Sequence, residues 1–140
     1  MLIKAAICGD MGSYKKIWQT PHDAARVKEL GAQVEGFADD FWFSLVPRIA
    51  VEVAWQKFTK VAAFQEILKD VISNHRFLIE ETRNDGLWGS GEDMVQTFTI
   101  PSTWRHHTRK TEQAANVLGW ALTVVGLKLI NSPDADQWLC

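Results

Sequence analysis

The chain has 140 residues, 15 basic and 17 acidic side chains, a formal charge of −2 and 46% hydrophobic residues. That length is one domain's worth, 1–140, able to bury roughly two-thirds of its unfolded surface without staples, and the near-neutral charge excludes a global basic field for sequence-independent binding to long nucleic acid. Cys8 and Cys140 lack metal-ligand spacing, no apolar run reaches the ~18 residues of a membrane span, and Met1-Leu2-Ile3-Lys4 opens no signal-peptide pattern, so a cytoplasmic protein with free thiols is expected.

Leu2, Ile3, Ala5, Ala6 and Ile7 predict a first helix that stops at Gly9-Asp10-Met11-Gly12-Ser13. Lys4 lies inside this run, and from local pattern alone it reads as a snorkelling lysine. Tyr14 to Trp18 predicts a short helical turn. Thr20-Pro21 then predicts a helix start, with Thr20 at the N-cap and Pro21 at N1, and Gly31 ends that helix. Asp39 or Asp40 can cap the segment through Phe41, Trp42, Phe43 and Leu45, and Pro47 either begins the main helix or kinks one already running. Ile49, Val53 or Ala54, and Phe58 give that helix its core spacing up to about Val61. Ala62 to Ile72 repeats the pattern until Ser73-Asn74-His75 breaks it.

Phe77 to Thr82 is short and branched, and predicts a strand. It feeds Asn84-Asp85-Gly86-Leu87-Trp88-Gly89-Ser90-Gly91, a stretch that no helix or strand interior would choose. Two readings of this loop stand equal. In one, glycine N–H groups, the Trp88 indole and the Asp85 carboxylate receive a nucleotide; in the other, it is an ordinary turn with its tryptophan in the core. Val95, Phe98 and Ile100 allow a second strand. Thr111 opens the last helix, whose stripe is Ala115, Leu118, Leu122, Val125 and Leu129, and Ser132-Pro133 ends it. The expected class is mainly α with minor β. Adjacent His106-His107 point to different sides and fail as metal ligands, and Walker, Rossmann and nucleophile-elbow patterns are missing, so no metal or cofactor is expected.

The ordered series Leu78-Ile79-Glu80-Glu81-Thr82, Asp85, Trp88-Gly89-Ser90-Gly91 and Asn116-Val117-Leu118-Gly119 resembles the NADAR superfamily, also called YbiA-like. Met1-Leu2-Ile3-Lys4-Ala5 with Gly9-Asp10, then Lys28-Leu30-Gly31, Val34 and Phe37, then Trp42 and Lys57-Phe58, continue the resemblance upstream. Gly126 stands where the family usually has arginine, Ala32 replaces the arginine after Leu-Gly, and the 92–115 segment is longer than a minimal linker. Relatives also carry about forty residues, including a Ser-Glu-His glutamate, ahead of the lysine helix.

The resemblance implies a single-domain helical fold and cleavage of a ribosyl–nitrogen bond in an ADP-ribosyl or ribosyl-nucleotide substrate. Relatives act on phosphorylated riboflavin intermediates or on ADP-ribosylated guanine in nucleic acid. In that scheme Asp85 stabilises charge on the ribose, or Lys4 instead attacks the ring-opened sugar as an amine. Glu80 orients Lys4 or contacts the ribose, or equally is a strand-end glutamate paired with a surface arginine; Trp88 stacks on the base or walls the pocket, beside Gly89 and Gly91; and Asn116 binds the ligand or the glycine loop. The alternative is a non-catalytic nucleotide-binding or structural protein derived from the same fold, which has lost the N-terminal catalytic glutamate. A further expectation is self-association, or a second protein, covering Leu2, Ile3 and Ala6.

Overall fold

The structure is a computed structural model that describes residues 1–76, 78–81, 83, 85–91 and 116–136. Contacts divide the chain into two compact units, Met1–Leu45 and Val46–Cys140, and each is built on its own terms.

In the first unit α1 (Leu2–Ile7), α2 (Met11–Trp18) and α3 (Ala24–Ala32) pack against one another. Their shared core is Ala5, Ile17, Leu30 and Val34, with Leu2, Cys8, Tyr14 and Val27 against it. Gly9 ends α1 at φ +72°, a left-handed conformation that a side chain would strain. Asp10 follows at once as the N-cap of α2: its Oδ1 accepts from Ser13 N at 2.9 Å and its Oδ2 from Glu35 N at 3.1 Å. One carboxylate therefore caps a helix and holds the chain 25 residues on. The predicted start of α3 is corrected from Thr20-Pro21 to Asp23, whose Oδ1 accepts from Arg26 N. Thr20 lies at the end of α2 instead, where its hydroxyl donates back to Lys16 O at 2.8 Å.

The hydroxyl of Ser13, then its N–H, and the Glu35 N–H hold the Asp10 carboxyl at about 2, down from 3.8. A lowered folded-state value stabilises the fold above the unfolded value, and that contribution is lost as pH falls through the folded one. We expect wild-type melting temperature to drop as pH falls from about 4 to about 2, and Asp10→Asn to flatten that slope. Thermal unfolding of both proteins across this window, followed by circular dichroism, checks it; parallel curves would contradict the role given to Asp10.

α4 (Asp39–Lys60) carries Asp39 and Asp40 in its first turn and continues through Pro47. Its buried positions are Val46, Ala50 and Ala54, spaced four apart, while Val53 is exposed. α5 (Ala62–Ser73) buries Leu68 and Ile72 and stops at Asn74, with His75 at φ +53°.

The last helix, α6 (Val117–Leu129), is buried on nearly every face, with Val117, Ala121, Val124 and Val125 at 0% exposure. β-branched residues are poor helix formers, so tertiary packing rather than local preference holds it. α5 packs on α6 so closely that a Cβ at Gly126 would lie 2.5 Å from Ile72 Cγ1. A 3-10 turn, Pro133–Ala135, folds back on α6 and adds Ala135 to the Ile72–Leu127 cluster.

The chain is mainly helical, as its pattern predicts. The expected minor β is corrected: among the described residues there is no strand. Leu78–Glu81 lies outside any ladder because Asn116 and Ser90 take backbone hydrogen bonds that a neighbouring strand would otherwise make. The second expected strand, His106-His107 and the Thr111 helix start lie outside the described residues.

Candidate active-site loop and lysine

In the second unit the 78–91 stretch is anchored through Asn116. This residue sits just before α6 in the left-handed region at φ 43°, only 2% exposed. Its Nδ2 donates to Leu78 O and its Oδ1 accepts from Glu80 N, both at 3.0 Å. The N–H groups that open α6 then run to the loop: Asn116 N to Gly89 O, Val117 N to Leu87 O and Leu118 N to Trp88 O, at 3.0 to 3.1 Å. Unsatisfied helix-end donors thus bind the loop in place of a capping side chain.

Four of the loop's backbone N–H groups are spent internally. Asp85 Oδ1 accepts from Trp88 N at 2.9 Å and from Leu87 N at 3.2 Å. Gly89 N donates to Asp85 O, and Ser90 N to Glu80 O at 2.7 Å. N–H groups 87 to 90 therefore shape the turn. Gly89 and Gly91 serve close approach and conformation: a Cβ at Gly89 would lie 2.7 Å from Glu80 O, and Gly91 stands at φ +70°. Gly119 has the same cause, since a Cβ there would collide with Leu78 O and the Asn116 amide.

Three side chains on this frame carry chemistry. Asp85 is half-buried, with Oδ1 committed and no hydrogen bond on Oδ2 among the described residues. Trp88 is half-buried beside it. Glu80 is held by its backbone on both sides, and its Oε2 is buried. The fold thus brings Glu80, Asp85, Trp88, Gly89 and Asn116 together.

Lys4 belongs to the first unit. Its ammonium donates to Gly31 O at 2.8 Å and lies 4.0 Å from the centroid of the Phe37 ring, which in turn packs on Trp42 at 5.9 Å. This is a built environment of one carbonyl and one aromatic face rather than the purely apolar setting that the α1 pattern suggests. Gly31 carries the Met1 side chain directly on its bare Cα. Phe37 and the Gly31 carbonyl were not legible as partners of Lys4, because no periodicity links positions 27 and more residues apart.

A family model described as the NADAR domain matches residues 1–129. The chain belongs to the NADAR family. Comparisons with curated proteins and with solved structures give no match. In this NADAR domain the residues that carry the family pattern fall into two sets: Lys4, Gly31, Phe37 and Trp42 touch in series in the first unit, while Glu80, Asp85, Trp88, Gly89, Asn116 and Gly119 build the loop frame in the second. At Gly126 Ile72 occupies the space that any side chain would need. Among the described residues no group of three His, Cys, Asp or Glu is placed to hold a metal, and no helix is long and apolar enough to cross a membrane.

Proposed function

We propose that this NADAR domain is an N-glycosidase that hydrolyses the ribosyl–nitrogen bond of an ADP-ribosyl or ribosyl-nucleotide substrate. The observation that carries the reading is the Asp85 turn: two N–H groups fix Oδ1, and Oδ2 is left with no hydrogen bond among the described residues, next to a half-buried indole. As the C1′–N bond breaks, positive charge grows on the ribose, and a carboxylate oxygen already fixed in place stabilises it without reorganising. Water adds its oxygen to C1′, and its proton goes to the departing nitrogen. Trp88 supplies a flat face for the base, Glu80 a carboxylate for the ribose, and Asn116 acts as a positioning residue through the backbone of Leu78 and Glu80.

Lys4 enters the proposal through its match to the family's lysine helix and through the fixed position of its ammonium. Lys4→Met keeps the stem and removes the ammonium. We expect it to abolish turnover while costing about 2 kcal/mol of stability, the summed worth of one hydrogen bond and one cation–π contact. Turnover at the wild-type rate in this variant would remove Lys4 from the mechanism.

The function itself is tested by incubating the protein with ADP-ribosylated guanine oligonucleotide and, separately, with a ribosylaminopyrimidine phosphate, and following products by mass. Release of free base or amine supports the glycosidase. Calorimetric binding of ADP-ribose with no turnover of either compound would favour a nucleotide-binding protein that has lost the reaction, and neither binding nor turnover would sink both readings.

A further inference from the structure

On α2 Met11, Lys15, Lys16 and Trp18 are exposed, Tyr14 is half-buried, and Gln19 follows at the C-cap, while Ser13 and Ile17 are buried. Tyr14 is fastened by packing on the Ala5–Ile17–Leu30–Val34 core, yet Trp18, one turn on, is 65% exposed. The two rings lie parallel to within 10° with centroids 6.4 Å apart. An indole left in water with its plane aligned to an anchored neighbour forms a preset flat platform, costing a planar ligand little side-chain ordering.

Beside the platform is a cleft of about 190 Å³ lined by Tyr14, Lys15, Trp18 and Gln19. Pockets for drug-sized ligands run from about 300 Å³ upward, so this one has room for a single ring system. Its charge is one-sided: the helix Met-Gly-Ser-Tyr-Lys-Lys-Ile-Trp holds two lysines and no carboxylate. Neither Lys15 nor Lys16 has an ion pair among the described residues, and Asp10, the nearest acid in sequence, is spent on Ser13 and Glu35.

From the joined aromatic platform, one-ring cleft and unpaired lysine we propose that this face of α2 binds single-stranded nucleic acid, stacking one unpaired base on Trp18 and seating its phosphate on Lys15. Every base has a π-face, so such a site tolerates sequence. Overall charge of −2 confines the contact to a short segment, since no wider basic field extends it. The site stands without the glycosidase reading: it is confined to one helix, uses none of Lys4, Glu80, Asp85 or Trp88, and needs no turnover.

Fluorescence anisotropy of a fluorescein-labelled single-stranded oligodeoxyadenylate of roughly eight nucleotides, at low salt, tests it. Trp18→Ala, an exposed substitution checked for folding by circular dichroism, is expected to weaken binding roughly 5- to 100-fold. Lys15→Ala is expected to weaken it and to reduce the slope of log K against log salt by about 0.7, the share of one phosphate contact on a single strand. Asp85→Asn should bind the oligonucleotide as wild type does, so that a failed glycosidase and a failed binding site give different results. The proposal is overturned by no measurable binding, by binding that Trp18→Ala leaves intact, by deoxyadenylate monophosphate binding as tightly as the oligonucleotide, or by duplex of the same sequence binding as tightly as the single strand. Self-association lost in Trp18→Ala, with no oligonucleotide bound, would also overturn it and assign the face to a second copy of the chain.

Discussion

Asp85→Asn is expected to lower turnover of a ribosyl–nitrogen substrate by at least about 10²- to 10³-fold, the usual loss when one preorganised electrostatic group is removed from a transition state. The substitution is chosen for what it keeps. An asparagine Oδ1 still accepts from Leu87 N and Trp88 N, so the turn survives while the negative charge goes. Asp85→Ala should be equally inactive and also less stable, by about 1 to 2 kcal/mol, because it leaves those two N–H groups without their acceptor. Rates followed by mass, beside urea unfolding of all three proteins, separate the two effects. Wild-type turnover in Asp85→Asn would show that the carboxylate only shapes the loop.

Asn116→Ala should be the most damaging single change in the second unit. It strips the partners from Leu78 O and Glu80 N at a site with 2% exposure, each loss costing about 1–3 kcal/mol. It also places alanine at φ 43°, at a further cost of about 1–2 kcal/mol. The sum is comparable with the whole stability of a small domain, about 5–15 kcal/mol. Asn116→Gly removes the same hydrogen bonds and relieves the backbone, so it should be the milder of the two by about 1 kcal/mol. The urea midpoints are expected to fall in the order wild type, Gly, Ala. Near-wild-type stability in Asn116→Ala would mean that the loop is held by something other than this amide.

The helices of this chain were largely written in local pattern. The apolar run from Leu2 to Ile7 and the repeat from Ala62 to Ile72 each announce a helix, because spacing and side-chain type act within a few residues. Asp85 was equally legible as a carboxylate in a glycine-rich turn, since its partners Leu87 and Trp88 are two and three residues away. Thr20-Pro21 misled for an equally local reason: Asp23, three residues on, offers a carboxylate that accepts from Arg26 N and starts α3 there.

What the sequence by itself determined, then, is the helical class, the spans of α1 and α5 and the ordered motif series that marks the NADAR family. Tertiary structure alone decided what several of those motif residues are for. Asn116 is a clamp on residues 36 and 38 positions away, Lys4 rests on a carbonyl 27 positions away, and Gly119 is glycine because the Leu78 carbonyl lies where a side chain would be. The physical reason is that hydrogen bonds and steric exclusion depend on distance in space. Periodicity reports only which face of an element is apolar; it holds no record of which distant backbone that face, or the bare Cα of a glycine, will meet.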